Sequence, residues 1–337
     1  DDSVIVPGAF HCNQVIHPAF VVHRDELEIR SLRIMNELTA STVCSLQEQG
    51  SARGFYRIID KNQTQILMIS DADDPDFERF INYGRYFGGA GRRLPEIYAV
   101  VPDEFSVLIE DLGNNTLHRY IKSGCNKLAV EKIYCRAIDA LLEFQQSPLD
   151  GAPELRVFKQ DYLRWETAYF AKNLLDGYCN IPANVISNLD AEFDSLSQLV
   201  FDHGQVLIHR DFQSQNIMID PEGQIRFVDY QGMRMGSPGY DIMSLVLDPY
   251  AELPPEIRKR LIKYYQKSTG ISEQIIYAAG LQRIMQALGA YGCLGLVKGK
   301  RQYLRYIPFA FSMLKELLRN PPLPMPRLTG LTDEISF

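Results

Sequence analysis

The 337-residue sequence predicts an α+β protein with two lobes, a small β-rich amino-terminal lobe and a larger, mainly helical lobe after it. Three runs rich in strand-forming residues, at 42–48, 54–60 and 65–70, follow one another closely. After residue 117, most segments instead carry apolar residues at the three- and four-residue spacing of a helix. A hydrophobic content of 46% is ordinary for a globular protein, and the length suffices for two hydrophobic cores.

The chain divides into three segments in sequence order. Residues 1–24 form an amino-terminal arm in which only short strand-like runs can be recognised. A helix is predicted from Asp25, and it begins a first lobe of residues 25–113 that contains the three strands and a helix over 75–87. Residues 114–337 form the second lobe, with helices predicted over 117–122, 130–146, 162–175 and 190–201, before Gly270 and after Ser272. The proline-rich tail, 321–326, is predicted to be extended.

Charge, hydropathy and cysteine usage exclude several classes of function. A net charge of −7 with scattered cations argues against a nucleic-acid partner, because phosphate backbones need clustered Lys and Arg. The longest apolar stretch, 278–297, contains Gln282, Arg283 and Gln286, so a buried helix is predicted there rather than a membrane span. The six cysteines lack C-x-x-C spacing and are predicted to be free thiols of a cytoplasmic protein. We expect a monomer.

A predicted β-hairpin joins two polar loops in the second half of the chain. Two short apolar runs, 217–219 and 225–228, flank a Pro-Glu-Gly turn at 221–223. The loop before the hairpin contains His209, Arg210, Asp211 and Asn216, and the loop after it contains Asp229, as the printed sequence shows. Because one hairpin joins them, the two loops are expected to lie close together.

These loop residues suit phosphoryl transfer. That chemistry needs a base that orients an acceptor hydroxyl, and oxygen ligands that hold Mg²⁺ on the nucleotide phosphates. Protein kinases have the pattern H-R-D-x-x-x-x-N followed, after two strands, by an Asp. By this pattern Asp211 is the predicted base, beside His209 and Arg210, and Asn216 and Asp229 are the predicted Mg²⁺ ligands.

The loop sequences also resemble a known family. Asp229-Tyr230-Gln231 in place of Asp-Phe-Gly is similar to the aminoglycoside phosphotransferase-like superfamily of small-molecule kinases, which have a protein-kinase-like fold. The run 240–250 resembles the branch of bacterial N-acetylmuramate/N-acetylglucosamine anomeric kinases, which phosphorylate the sugar at C1. The resemblance covers residues 40–318 and is densest over 206–250. It implies ATP and Mg²⁺ as cofactors and a small-molecule acceptor.

A nucleotide site is expected on the first lobe. The short loop of Gly50, Ser51 and Ala52 between two strands can offer backbone N–H groups to phosphates. The third strand has Met68 and lacks the lysine of protein kinases, a departure that the sugar-kinase branch shares. Arg53 and Arg57 are candidates to replace that lysine, since an arginine fork suits phosphate. The resemblance further implies that adenine meets a hinge strand at Glu110, Asp111 and Leu112.

The resemblance also assigns residues to the acceptor side. Asp241 is expected to hold the catalytic loop from behind as a buried, structural carboxylate. Asp248, seven residues later, shares its face if the helix continues. The residues predicted to bind the acceptor are Glu166, Gln213, Gln231, Arg234, Asp248 and Arg283.

Three functions remain open from the sequence. The first is an ATP- and Mg²⁺-dependent kinase of the anomeric hydroxyl of an amino sugar. An alternative acceptor is an aminoglycoside, choline or another small-molecule hydroxyl. A cationic acceptor would need several acidic residues, whereas an acidic sugar would need a cation such as Arg234 or Arg283. A further alternative is a non-catalytic nucleotide-binding regulator with the same fold.

Overall fold

The computed structural model describes residues 42–46, 53–60, 63–89 and 92–337. The amino-terminal arm, the helix predicted from Asp25 and the loop of Gly50, Ser51 and Ala52 lie outside the described residues. Two compact units are present. The first comprises the described residues up to Cys125 with Pro148–Pro153 and Gln215–Gly232, and the second comprises Asn126–Ser147, Glu154–Ser214 and Met233–Phe337. The predicted boundaries of the arm and of the two lobes stay predictions.

A five-stranded antiparallel sheet forms the body of the first unit. Its strands are β1 (Thr42–Leu46), β2 (Gly54–Asp60), β3 (Gln63–Ile69), β4 (Ile97–Val101) and β5 (Ser106–Glu110), in the spatial order β1-β2-β3-β5-β4. Alternation of buried and partly exposed residues along β2 directs Tyr56 and Ile58 into a core with residues of the neighbouring strands. The carboxy-terminal half of β3, the central strand of the sheet, is buried on both faces.

A helix and the predicted hairpin complete the first unit. The hairpin consists of β8 (Ile217–Ile219) and β9 (Ile225–Phe227), and Gly223 occupies the left-handed region at φ +78° in its turn. Helix α1 (Phe77–Phe87) packs against the segment after the hairpin, where the rings of Phe80 and Tyr230 stack at 4.7 Å. The short helix α2 (Leu117–Lys122) follows the predicted range.

The second unit is mainly helical, as predicted. Its helices are α3 (Lys127–Gln145), α4 (Gln160–Phe170), α5 (Ala183–Ile186), α6 (Asp190–Asp202), α7 (Gly239–Val246), α8 (Pro255–Thr269), α9 (Glu273–Gly292), α10 (Ile307–Leu318) and α11 (Pro326–Glu334). Helix α9 is central and packs against α4, α7 and α10. A small sheet of β6 (Arg156–Val157), β10 (Arg234–Gly236) and β7 (Val206–Ile208) lies in the same unit, with β10 in the middle.

Local sequence signals explain where α8 and α9 begin and end. Gly270 adopts φ +71° and ends α8, and the Ser272 hydroxyl accepts a hydrogen bond from the Ile275 N–H at the start of α9. Helix α9 is predominantly buried, as the sequence predicts, but the end of the predicted range 278–297 is not, because Leu296 and Val297 are 46% and 72% exposed. It changes to a π-helix over Cys293–Val297, and α4 does so over Ala171–Asp176. Helix α11 is not predicted from the sequence.

Four of the cysteines are free thiols, but the prediction is wrong for Cys44. Cys125, Cys135, Cys179 and Cys293 are free, whereas Cys44 is disulfide-bonded. The sequence shows no spacing from which that bond could be predicted. Within the part of the chain that the structure describes, no helix is both long enough and apolar enough to cross a membrane.

Candidate active site

A buried carboxylate holds the loop that follows β7. The side chain of Asp241, in the first turn of α7, is fully buried. Its Oδ2 accepts the backbone N–H of His209 at 2.6 Å, and its Oδ1 accepts that of Arg210 at 2.9 Å. Burial raises the pKa of Asp241 to about 7. The two N–H donors lower this pKa, because they favour the charged form, but burial has the larger effect. The buried Asp241 side chain therefore holds the loop in position without being exposed to solvent itself.

Asp211 occupies the outer side of this loop with its carboxylate partly exposed. Arg210 Nη1 donates to Asp211 Oδ2 at 2.8 Å, and the Asp211 side chain keeps 26% of its surface exposed. Arg210 adopts φ +77°, a left-handed conformation that is costly for a residue with a side chain and persists only where its surroundings impose it. Burial raises the pKa of Asp211, but the charges of Arg210 and Arg283 outweigh burial and leave it below its ordinary value. Asp211 is accordingly ionised at neutral pH.

Asp248 positions the far end of the same loop. Its carboxylate accepts the Ser214 N–H at 2.8 Å, the Ser214 hydroxyl and the Tyr250 N–H at 2.9 Å. It does not continue the face of Asp241, because α7 ends at Val246; the expectation of a continued helix is wrong. Asp248 is 2% exposed, so its oxygens serve the protein rather than a ligand at the surface.

Two further arginines of the second unit, Arg234 and Arg283, act on Asp211 through their charges. The Arg234 guanidinium lies 4.6 Å from the Phe158 ring centroid and 5.0 Å from that of Tyr162. Arg283 donates from Nε to the Ser244 hydroxyl at 3.0 Å. The charges of both arginines contribute to lowering the pKa of Asp211. This side of the base is therefore rich in cations.

Glu166 is a second carboxylate in the same unit, but it is fully buried. The Tyr240 hydroxyl donates to its Oε1 at 3.1 Å, and Gln282 Nε2 donates to its Oε2 at 3.1 Å. Burial raises the pKa of Glu166, against the charge of Arg210. In the structure Glu166 is thus part of the packing behind the loop. Gln213 lies on the loop itself, where its backbone N–H donates to the Asp211 carbonyl at 2.9 Å.

The predicted metal ligands meet in the first unit. Asn216 Nδ2 lies 3.5 Å from Asp229 Oδ2, and the Val228 N–H donates to the Asn216 carbonyl at 3.0 Å. Asp229 is exposed and adopts φ +62°, a second left-handed residue. Gln231 Nε2 donates to Asp229 Oδ1 at 2.7 Å. The hairpin therefore brings together one carboxylate and one amide that are thirteen positions apart.

This donor set fits Mg²⁺ bound to a nucleotide. Mg²⁺ usually takes one or two protein oxygens and completes its octahedron with phosphate and water oxygens. Asp229 offers an exposed carboxylate. The Asn216 side chain offers its amide oxygen when the amide group is flipped, because its nitrogen faces Asp229 in the structure. Among the described residues, no group of three or more His, Cys, Asp and Glu side chains could form an all-protein cage. The site thus suits a metal that arrives with phosphates.

The predicted hinge residues are tied to the hairpin by an arginine. Arg226 on β9 donates to both Glu110 oxygens, at 2.6 and 3.1 Å, and to the Leu94 carbonyl at 3.0 Å. Glu110 ends β5, and Leu112 just after it is buried. The position of the hairpin in the first unit therefore depends on an ion pair with the hinge strand.

Arg53 and Arg57 both face carboxylates. Arg57 donates from Nε and Nη2 to the two Asp111 oxygens, at 2.6 and 2.8 Å, and from Nη1 to Asn114 at 2.7 Å. Arg53 Nε donates to Asp74 at 2.8 Å. Met68 is fully buried at the centre of the sheet. A phosphate would thus have to compete with Asp111 for Arg57, and with Asp74 for Arg53.

A family model described as the phosphotransferase enzyme family matches residues 42–275. That match spans well over half of the chain. The chain belongs to this family. It is therefore a phosphotransferase, and the prediction of an enzyme of this superfamily is confirmed. None of the curated proteins matches the sequence.

Solved structures of small-molecule kinases share the fold of this phosphotransferase. The choline kinase LicA from Streptococcus pneumoniae is 14% identical with a TM-score of 0.60, over 85% of this chain and 98% of that one. A choline/ethanolamine kinase family protein from Mesorhizobium loti is 16% identical with a TM-score of 0.62, over 90% and 98%. The ADP-bound aminoglycoside phosphotransferase APH(2'')-Ib is 12% identical with a TM-score of 0.61, over 85% and 98%. The predicted fold class, a two-lobed α+β protein-kinase-like fold, is confirmed.

Several residues of the phosphotransferase site are not evident from the sequence. Ser214 and Tyr240 act through contacts with residues more than thirty positions away, and no local pattern marks them. Arg226 is different, because an arginine between Ile225 and Phe227 interrupts an apolar strand. A charged residue in such a strand is predicted to need a partner when it is buried, and this signal could have identified the ion pair with Glu110.

Proposed function

We propose that this phosphotransferase transfers the γ-phosphoryl group of ATP to a hydroxyl of a small molecule, the anomeric hydroxyl of an amino sugar. The observation that carries the proposal is the state of Asp211. Its carboxylate is ionised and partly exposed, on a loop that a buried Asp241 holds by two backbone hydrogen bonds. That is the arrangement a base needs if it is to orient a hydroxyl.

Asp211 acts on the acceptor. Its carboxylate accepts the hydrogen bond of the acceptor hydroxyl, while Arg210 Nη1 donates to Oδ2. The hydroxyl oxygen forms a bond with the γ-phosphorus, the bond from that phosphorus to the ADP oxygen breaks, and the hydroxyl proton passes to Asp211. Orientation of the reactants supplies most of the rate in such reactions, and the base contributes the proton transfer.

Asp229 and Asn216 would hold the metal of the nucleotide. Mg²⁺, when bound there, neutralises the charge of the phosphates. The segment from Glu110 to Leu112 is proposed to meet the adenine edge with backbone groups. The side chains of Glu110 and Asp111 in this segment are held by ion pairs with Arg226 and Arg57. ATP as the donor favours the cytoplasm.

The charges beside Asp211 favour an acidic or neutral acceptor over a cationic one. Arg210, Arg234 and Arg283 all lie within electrostatic range of Asp211. The remaining carboxylates of this region, Asp241 and Asp248, are buried and accept hydrogen bonds from the chain. A quaternary ammonium or a polyamine would therefore meet the charges of these arginines, while the carboxylates of Asp241 and Asp248 are engaged within the chain. N-acetylmuramate, which carries a carboxylate, suits the cations, and N-acetylglucosamine is its neutral counterpart.

The acceptor is identified by measuring ADP release. The panel contains N-acetylmuramate, N-acetylglucosamine, choline, hygromycin B and gentamicin at equal concentrations, with ATP and Mg²⁺. We expect the two amino sugars to give the highest kcat/KM and the Asp211→Asn protein to give none above background. Faster turnover of choline or of either antibiotic would replace the amino sugar as acceptor. ATP binding without ADP release on any of the five would favour the non-catalytic alternative.

A further inference from the structure

Three aromatic side chains form a continuous stack on one face of α4. Tyr162, Trp165 and Tyr169 are spaced three and four residues apart, so they share a face of the helix. The ring centroids of Tyr162 and Trp165 are 5.3 Å apart, and those of Trp165 and Tyr169 are 5.1 Å apart with nearly parallel planes, at 18°. Trp165 is the single tryptophan of the sequence. The stack is thus an extended aromatic surface rather than three isolated rings.

The middle ring of this stack is open to solvent. Trp165 is 49% exposed, although Leu163, Glu166 and Phe170 on the adjoining face of α4 are buried completely or nearly so. Packing of α4 against the rest of the unit therefore does not account for the tryptophan. A large exposed ring that is rigidly stacked between two others offers its free face to a ligand at little entropic cost.

Two arginines link the aromatic stack to the catalytic base. Arg234 covers the rings of Phe158 and Tyr162, and its charge contributes to lowering the pKa of Asp211. At the other end of the stack, burial and a hydrogen bond with Cys293 raise the pKa of Tyr169, while the charge of Arg210 opposes them. Arg210 donates to Asp211. Both ends of the stack are consequently within electrostatic range of the arginines that flank the base.

We infer that Trp165, with Tyr162 and Tyr169 on either side, is the platform on which the pyranose ring of the acceptor stacks. This inference rests on the proposed function and adds the residues that select the substrate class. The C–H face of a pyranose is apolar and matches an aromatic ring, while its hydroxyls and any carboxylate remain free for polar partners. Arg210, whose side chain is 20% exposed, supplies a cation for an acidic substituent. A cationic ligand is disfavoured, because the charge of Arg210 repels it and Arg234 already lies over the Tyr162 ring of the platform.

Trp165 itself reports occupation of the platform. Because the chain has one tryptophan, fluorescence excited at the long-wavelength edge of tryptophan absorption comes from Trp165 alone. We expect N-acetylmuramate and N-acetylglucosamine, added without ATP, to shift or quench the emission in a saturable way. Choline should leave it unchanged. A saturable response to choline, or no response to either sugar at concentrations that saturate turnover, would overturn the platform.

A pair of variants separates stacking from general damage. Replacing Trp165 by Ala should raise KM for the sugar roughly tenfold, with kcat changed much less, because the ring holds the substrate and takes no part in the proton transfer. Trp165→Phe should recover most of the affinity. Tyr264→Ala, on α8, is the control: that ring is also partly exposed, at 36%, and lies on a helix that carries none of the proposed site.

The outcomes distinguish the platform from the kinase assignment. If sugars are phosphorylated and Trp165→Ala leaves KM unchanged, the platform is wrong and the kinase assignment stands. If sugars change the tryptophan emission but release no ADP, the platform stands and the reaction has been assigned wrongly. Equal effects of Trp165→Ala and Tyr264→Ala on KM would also overturn the platform, because such effects would reflect stability alone.

Discussion

The base and the metal ligands are held in opposite ways. Around Asp211, the supporting carboxylates of Asp241 and Asp248 are buried, and each accepts hydrogen bonds from the backbone of the loop. Asp229, in contrast, is exposed, and its two oxygens face the amide nitrogens of Asn216 and Gln231. The Asp211 carboxylate is held in position before any ligand binds, whereas the Asp229 carboxylate can still coordinate a cation.

The difference follows from what each group binds. A base must point at one hydroxyl in one geometry, so rigid support raises the rate. A metal ligand shares Mg²⁺ with phosphates that are absent until the nucleotide binds, so an exposed carboxylate with replaceable amide partners is sufficient. Removal of support should therefore impair turnover on the base side, whereas removal of a ligand should impair nucleotide binding on the metal side.

The largest expected effect is on the base side. Asp211→Asn keeps the size of the side chain and removes its ability to take a proton. We expect kcat to fall about 10²-fold or more, with nucleotide affinity little changed. Steady-state kinetics and calorimetry with ATP and Mg²⁺ measure the two quantities. Turnover close to that of the native protein would show that Asp211 is not the base.

The metal side should respond in nucleotide binding. Asp229→Ala should abolish Mg²⁺-dependent binding of ATP, and Asn216→Ala should weaken it less, because a carboxylate is the stronger ligand of a hard cation. Calorimetry with ATP, with and without Mg²⁺, tests this order. Gln231→Ala, which removes a neighbour of Asp229 without removing a ligand, is the control. Tight metal-dependent binding by the Asp229→Ala protein would refute the assignment of the metal site.

A third prediction concerns the support behind the base. Asp241→Asn places an amide N–H₂ against one of the two backbone N–H groups of the loop. We expect the loss of that acceptor to destabilise the unit by about 1–3 kcal/mol and to lower kcat, with KM for ATP little changed. Thermal unfolding and kinetics report both effects. Asp190→Asn is the control, because Asp190 is a surface partner of Arg164 with 62% of its side chain exposed. If both variants behave alike, the loop does not depend on Asp241.

The smallest expected effect is on the pH dependence. Asp211 has a lowered pKa, so it remains ionised as pH falls toward the ordinary aspartate range and loses its proton-accepting form only below that range. Arg210→Gln removes the nearest positive charge. The pKa of Asp211 should then rise, and the acid limb of kcat/KM should move to higher pH. An unchanged acid limb would show that another group controls it.

Local signals in the sequence account for much of the fold. Runs of strand-forming residues predict β1 to β3, and the Pro-Glu-Gly turn predicts the hairpin. Gly270 and Ser272 mark the end of one helix and the start of the next. The order of Asp211, Asn216 and Asp229 along the chain predicts phosphoryl transfer, and the family match confirms a phosphotransferase. These signals depend on neighbouring residues, which a single sequence displays.

Tertiary structure alone decided the supporting contacts. Glu192 accepts the N–H groups of Arg327 and Leu328 at the start of α11, from more than 130 positions away, which explains why this helix was not predicted. The partners of Asp248, Glu166 and Arg57 are likewise distant, and all three had been predicted to meet ligands. A buried charge needs partners whatever their distance in sequence, and only the folded chain shows whether those partners belong to the protein. The sequence therefore determined which groups are reactive, and packing decided which of them are already engaged.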